Sequence, residues 1–258
     1  MRQAWRDLWA ALLDTLRLPG PTPRRDAALL FVALLAQLLY WHLGSPGPQL
    51  AQPPLPAPYP APFLALATGR DLAAGGLNVG VSLLTLFLLP LAAWRLAGRP
   101  LADLGLRLGD WRFGLTVTLP LALVMGAAMF VSGDDPALKA TYPWAGAWAG
   151  ASLGNYASWA ALYLGYYLAF EAFYRGFVLQ LGARLWGTSG GVWLMTLASV
   201  LVHLGKPLAE TASALPAAFL FAALALRGRS ILWPLLLHVG VGFGTDLACL
   251  YYSGQLSL

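Results

Sequence analysis

Apolar positions in this chain form long runs, and polar positions collect in the short intervals between them. Seven runs read as helices that cross a bilayer: about Ala27–Leu43, Leu77–Leu96, Phe113–Val131, Leu153–Phe170, Val192–Leu204, Ser213–Leu226 and Ile231–Tyr252. A crossing takes ~20 residues, so the fifth and sixth are short. Ahead of them Trp5, Leu8, Trp9, Leu12, Leu13 and Leu16 recur at helical spacing against Arg2, Arg6, Asp7, Asp14 and Arg17. That pattern predicts an amphipathic helix over 1–20, lying in the membrane interface. Residues 45–62 are too rich in proline for a helix and read as a loop outside the bilayer, followed by a short apolar piece, Phe63–Ala67. Pro90 is expected to kink the second span, and Gly187–Gly191 to break the chain before the fifth.

Composition turns this pattern into a fold class. Charged residues make up 10% of the chain and mean hydropathy is +0.64, whereas a soluble domain carries about 25% charged residues. The expectation is an all-α polytopic membrane bundle of about seven crossings, integral to a membrane and in contact with lipid. The net charge of +5 does not imply nucleic acid as a partner, because the arginines sit in loops between spans. With the N-terminus in the cytoplasm, twelve Lys and Arg residues fall in inside segments. Three (Arg70, Lys139 and Lys206) fall outside. That asymmetry sets the expected orientation, in what reads as a bacterial cytoplasmic membrane. Cys249 is the single cysteine, which excludes an intrachain disulfide.

Against this background a few polar residues stand inside apolar runs. Glu171 and Arg175 are four apart in Phe170-Glu171-Ala172-Phe173-Tyr174-Arg175-Gly176 and stack on one helix face, with the acid on the N-terminal side. An ionisable residue in a span is costly unless paired or facing a wet cavity. His203 closes the fifth span, and His238 and Asp246 lie in the seventh. Lys206 and Glu210 follow the fifth and can form a surface pair. Glu171 and Arg175 alone could simply neutralise each other and pin a bend. With His203 and His238 added, the set holds the parts of a two-histidine carboxylate site. Such a site can bind Zn²⁺ with an open position or activate water by general-base chemistry. There is no His-Glu-x-x-His, no Gly-x-Ser-x-Gly elbow, no pair of aspartates in the spans, and no Walker or dinucleotide loop. A buried proton relay in a transporter is a further reading, weakened by the lack of an internal repeat.

These residues resemble the CPBP family of intramembrane proteases, the group that includes the Ras-converting CAAX endopeptidases and bacteriocin-processing or immunity proteins. The Glu-Glu-x-x-x-Arg motif corresponds to Phe170-Glu171-Ala172-Phe173-Tyr174-Arg175. Phe-x-x-x-His corresponds to Ser199-Val200-Leu201-Val202-His203, and His-x-x-x-Asn/Asp to His238-Val239-Gly240-Val241-Gly242. Leu104-Gly105-Leu106-Arg107-Leu108-Gly109 and Arg229-Ser230-Ile231-Leu232-Trp233-Pro234 also look familiar. The resemblance covers about residues 100–250. It implies a division into the interfacial helix 1–20, two spans with the Pro-rich loop in 25–98, and a protease-like core in 99–252. It further implies an endopeptidase acting on a protein or peptide substrate, in a cavity open to the cytoplasm. Glu171 and His203 would activate water or, with His238, hold a metal. His238 would stabilise the oxyanion and Arg175 would fix Glu171. The chain departs from the pattern at Phe170, Ser199 and Gly242. The departures keep open a pseudoprotease that binds peptides or lipid-modified tails without cutting them, and Asp246 is a candidate replacement for the missing third-motif acceptor.

Overall fold

A computed structural model describes Arg6, residues 24–44 and residues 70–257. Apart from Arg6, the expected interfacial helix lies outside the described residues, as do the Pro-rich loop and Phe63–Ala67. The described chain is helical throughout. Its elements are α1 (Arg24–Leu39, continued by a π turn Tyr40–Gly44), α2 (Leu72–Ser82), a π turn Leu83–Leu88, α3 (Leu89–Leu96), α4 (Trp111–Ser132), α5 (Pro136–Thr141), α6 (Leu153–Glu171), a π turn Ala172–Val178, α7 (Leu179–Leu201), α8 (Leu208–Gly228) and α9 (Leu232–Tyr252). The absence of strand among the described residues follows from the environment: a bilayer supplies no partner for open backbone, and a helix satisfies its own.

Among the described residues, five segments are long and apolar enough to span a membrane: Arg24–Gly44, Leu72–Leu96, Trp111–Ser132, Leu208–Gly228 and Leu232–Tyr252. This is an integral membrane protein. The remaining crossings expected from sequence fall on α6 and α7, the helices that carry the polar site. Pro90 opens α3, and the helix widens into the π turn just before it. Proline lacks an N–H and crowds the carbonyl four residues back, so the ladder shifts register there. The break expected at Gly187–Gly191 falls at its near edge, where Trp186 and Gly187 leave helical geometry. The chain then folds back so that Gly191 packs on the backbone of Leu179 and Ala183, an approach that small residues allow.

The arginine-rich end is laced by specific contacts. Asp26 pairs with Arg99, and Arg25 donates to the carbonyl of Ala97. The stretches 104–109 and 229–234, both singled out in the sequence, lie against each other. The Ile231 N–H donates to the Gly105 carbonyl at 3.0 Å, Arg107 Nε donates to the Arg229 carbonyl at 3.0 Å, and Ser230 Oγ donates to the Arg107 carbonyl. Asp110 caps α4 by accepting from the Phe113 N–H, and it pairs with Arg227 at 2.8 Å. Arg227 above all, helped by that N–H, holds the Asp110 carboxyl below the usual carboxylate range.

α4 and α9 pack through a size match. Trp233 is fully buried and its indole lies on Gly114, where an added Cβ would stand 2.0 Å from the ring. Gly114→Val is expected to lower unfolding stability in detergent by about 3 kcal/mol, the upper end of overpacking costs. Gly126→Val on the same helix, where an added Cβ meets nothing within 4 Å, should leave the thermal midpoint unchanged.

Candidate active site

The site is built where α6 runs into its π turn. Glu171 is the last residue of α6 and Arg175 lies within the turn. A wider turn brings residues four apart almost onto one line, one above the other. Both are buried, at 0% and 3% exposure, and Arg175 Nη1 donates to Glu171 Oε1 at 3.2 Å. The same oxygen is 2.6 Å from Nδ1 of His238, which reaches over from the first half of α9. A carboxylate facing a ring nitrogen assigns the proton to Nδ1, which leaves the Nε2 lone pair free to accept.

His203 follows the end of α7, and its Nδ1 is 2.7 Å from the Ser199 carbonyl oxygen. A carbonyl only accepts, so Nδ1 again carries the proton and Nε2 is again the acceptor. Both imidazoles line a cavity of about 560 Å³, together with Tyr167, Phe170, Lys206 and Glu210. Its lining reaches Ser132, Leu138 and Tyr142, the end of the bundle opposite the arginine-rich loops.

Glu171 itself does not line the cavity. Its carboxylate stands behind His238, one oxygen engaged by the imidazole and the guanidinium. The expected ligand set Glu171, His203 and His238 is not gathered around one point. Among the described residues no three His, Cys, Asp or Glu side chains are placed to share a metal ion. Only Glu171 Oε1 is engaged, by Arg175 and His238; Oε2 is buried without a hydrogen-bond partner and away from the cavity lining, so the carboxylate offers no ligand to an ion in the cavity.

Phe170 occupies the centre of the site. Its ring stands edge-on to both imidazoles, with centroids 6.0 Å from His203 and 5.1 Å from His238. The Arg175 guanidinium lies over Phe170 and Phe221 at 5.6 Å and 5.0 Å, so its cation faces π surface on two sides. The aromatic lining continues through Tyr163, Tyr166 and Tyr167.

Lys206 and Glu210 are not the surface pair expected from their spacing. They meet at 2.7 Å on the cavity wall, and Tyr142 donates to Glu210 Oε1 at 2.8 Å. Burial, reinforced by the neighbouring Glu210, pushes the Tyr142 phenol well above its ordinary range. The ammonium lies over Tyr142 and Trp144, at 5.8 Å and 5.6 Å. Asp246, the candidate replacement acceptor, is buried outside the cavity lining. Its Oδ2 accepts from the Trp159 indole N–H at 2.8 Å. That bond ties α6 to α9.

Residues 152–244 match the family model of the type II CAAX prenyl endopeptidases, Rce1-like. Over this segment the chain is similar to that family, which lies within the CPBP proteases. No curated protein and no solved structure matches the chain. The matched interval contains Glu171, Arg175, His203 and His238, so the Rce1-like core and the convergent polar site coincide. Sequence reasoning missed three residues of the cavity lining: Tyr142, Tyr167 and Phe221. A signal was present for Tyr167, which is four residues before Glu171 and therefore on the same helix face.

Removing the cation from the Rce1-like core should expose the cost of a buried, uncompensated carboxylate. Arg175→Leu is expected to lower stability by about 3–5 kcal/mol. Adding Glu171→Gln should recover part of that loss. Thermal unfolding of the two variants in detergent, followed by Trp fluorescence, checks the sign of the coupling.

Proposed function

We propose that this chain is an intramembrane endopeptidase of the CAAX-protease type that hydrolyses a peptide bond with a histidine-activated water. The observation that carries the reading is His238, held at 2.6 Å by a fully buried carboxylate while its ring lines the cavity. A carboxylate behind an imidazole fixes its tautomer and stabilises the imidazolium that forms when Nε2 takes a proton. Water in the cavity donates one hydrogen to His238 Nε2, and the second is within the chemistry of His203 Nε2. The oxygen attacks the scissile carbonyl, and the His238 proton passes to the leaving amide nitrogen. Arg175 pairs with Glu171 and holds its carboxylate in place. Glu171 is thus a positioning residue, and the two histidines are the catalytic ones. The substrate is a protein or peptide that enters from within or across the bilayer. With the arginine-rich loops in the cytoplasm, the cavity extends toward the far side of the membrane.

A second reading follows from Phe170. Where the resemblance has a carboxylate, an apolar ring lies against both imidazoles. A pseudoprotease that holds a peptide or a lipid-modified tail without cutting it would suit a cavity so aromatic.

Protein termini in cells making the native chain, compared with cells making His238→Ala or His203→Ala at equal level, separate the two readings. New termini found only with the native chain are expected, and with purified protein each alanine variant should lose about 10²–10⁴ in rate. Identical termini in all three strains would favour the pseudoprotease. Cleavage should also fall as pH drops, because a protonated imidazole cannot accept from water. A rate that rises on acidification would overturn histidine as the base.

A further inference from the structure

The third motif lacks its polar side chain, yet the space above Gly242 is filled. Tyr167, on α6, reaches across to α9 and sets its hydroxyl there. A Cβ at position 242 would stand 1.6 Å from Tyr167 Oη and 2.3 Å from Cζ. No side chain at 242 can coexist with that placement. Glycine is therefore required by what sits on it.

The same tyrosine is part of the His238 surroundings. The two ring centroids are 4.7 Å apart, and both side chains line the cavity. His238 and Gly242 are four apart on α9, so the hydroxyl sits one helical turn along the cavity wall from the imidazole. Tyr167 also precedes Glu171 by one turn on α6. One helix thus delivers both the carboxylate that orients His238 and the phenol beside it. The ring is 4% exposed. In so dry a place, a donor aimed at developing charge is worth far more than in water.

We propose that the Tyr167 hydroxyl is the oxyanion donor of this site, doing from α6 what a polar side chain at position 242 would do from α9. The inference rests on the endopeptidase reading and names a residue that reading does not contain. Water oxygen forms the new bond to the carbonyl carbon, the C=O π pair moves onto oxygen, and the water proton goes to His238 Nε2. Tyr167 donates a hydrogen bond to that oxygen and keeps its proton. When the C–N bond breaks, the oxygen's pair re-forms C=O and the nitrogen takes the proton from His238. Phenol O–H needs no charge and no reorganisation to do this, being held by packing before substrate arrives.

The test uses the full-length chain purified in detergent with a peptide spanning the cleavage site located from the new termini. Tyr167→Phe removes only the hydroxyl. It should keep the thermal midpoint, keep KM within about twofold and lower kcat by about 10²–10³. In a Tyr167→Ala background, adding Gly242→Asn should restore at least about tenfold of the lost kcat, because the amide then has room to take the donor's place. A native chain that cuts while Tyr167→Phe retains native kcat would overturn the Tyr167 role and leave the endopeptidase standing. A native chain that cuts no peptide or membrane protein would overturn both. A fall seen only in KM would assign Tyr167 to substrate binding and overturn the oxyanion role.

Discussion

One carboxylate oxygen organises this bundle. Glu171 Oε1 accepts from Arg175 on its own helix and from His238 on α9, and it does so with no exposed surface at all. A charge in such a place cannot be left alone, since an isolated buried ion costs several kcal/mol even after relaxation. The neighbouring structure reads as the means of satisfying it. The π turn widens the helix where Arg175 must come round to face the acid. Aromatic faces from Phe170 and Phe221 cover the rest of the guanidinium. The first half of α9 is drawn in until an imidazole completes the contacts to Oε1, and that imidazole faces both the buried carboxylate and the cavity.

The fold was largely legible because the bilayer makes so few demands and makes them absolute. Long apolar runs between polar loops map onto helices with little ambiguity, and the placements of α1, α3, α4, α8 and α9 could be read from them. Helix α7 was harder. Its apolar stretch is short, and its reversal at Trp186 and Gly187 depends on Gly182 and Gly191 meeting across the turn, a tertiary contact that no local pattern announces.

The polar site was legible in its membership and less so in its division of labour. Glu171, Arg175, His203 and His238 stand out because ionisable groups are rare in such surroundings. Sequence spacing cannot say which of them sees the cavity, and so it could not separate an orienting carboxylate from a water-activating one. It also could not separate Asp246, which is spent on Trp159, from a residue of the cavity wall. Lys206 and Glu210 were misjudged for a related reason. Four-residue spacing describes their pairing but not Tyr142, which arrives from 64 residues away to bury them.

Tyr167 and Gly242 are chemically one position shared by two helices. Neither can change freely: a larger residue at 242 strikes the tyrosine, and loss of the tyrosine empties the place that glycine keeps open. A single substitution at either site therefore meets a clash or leaves a void, and only a paired change, small for large on one helix and large for small on the other, keeps the space filled.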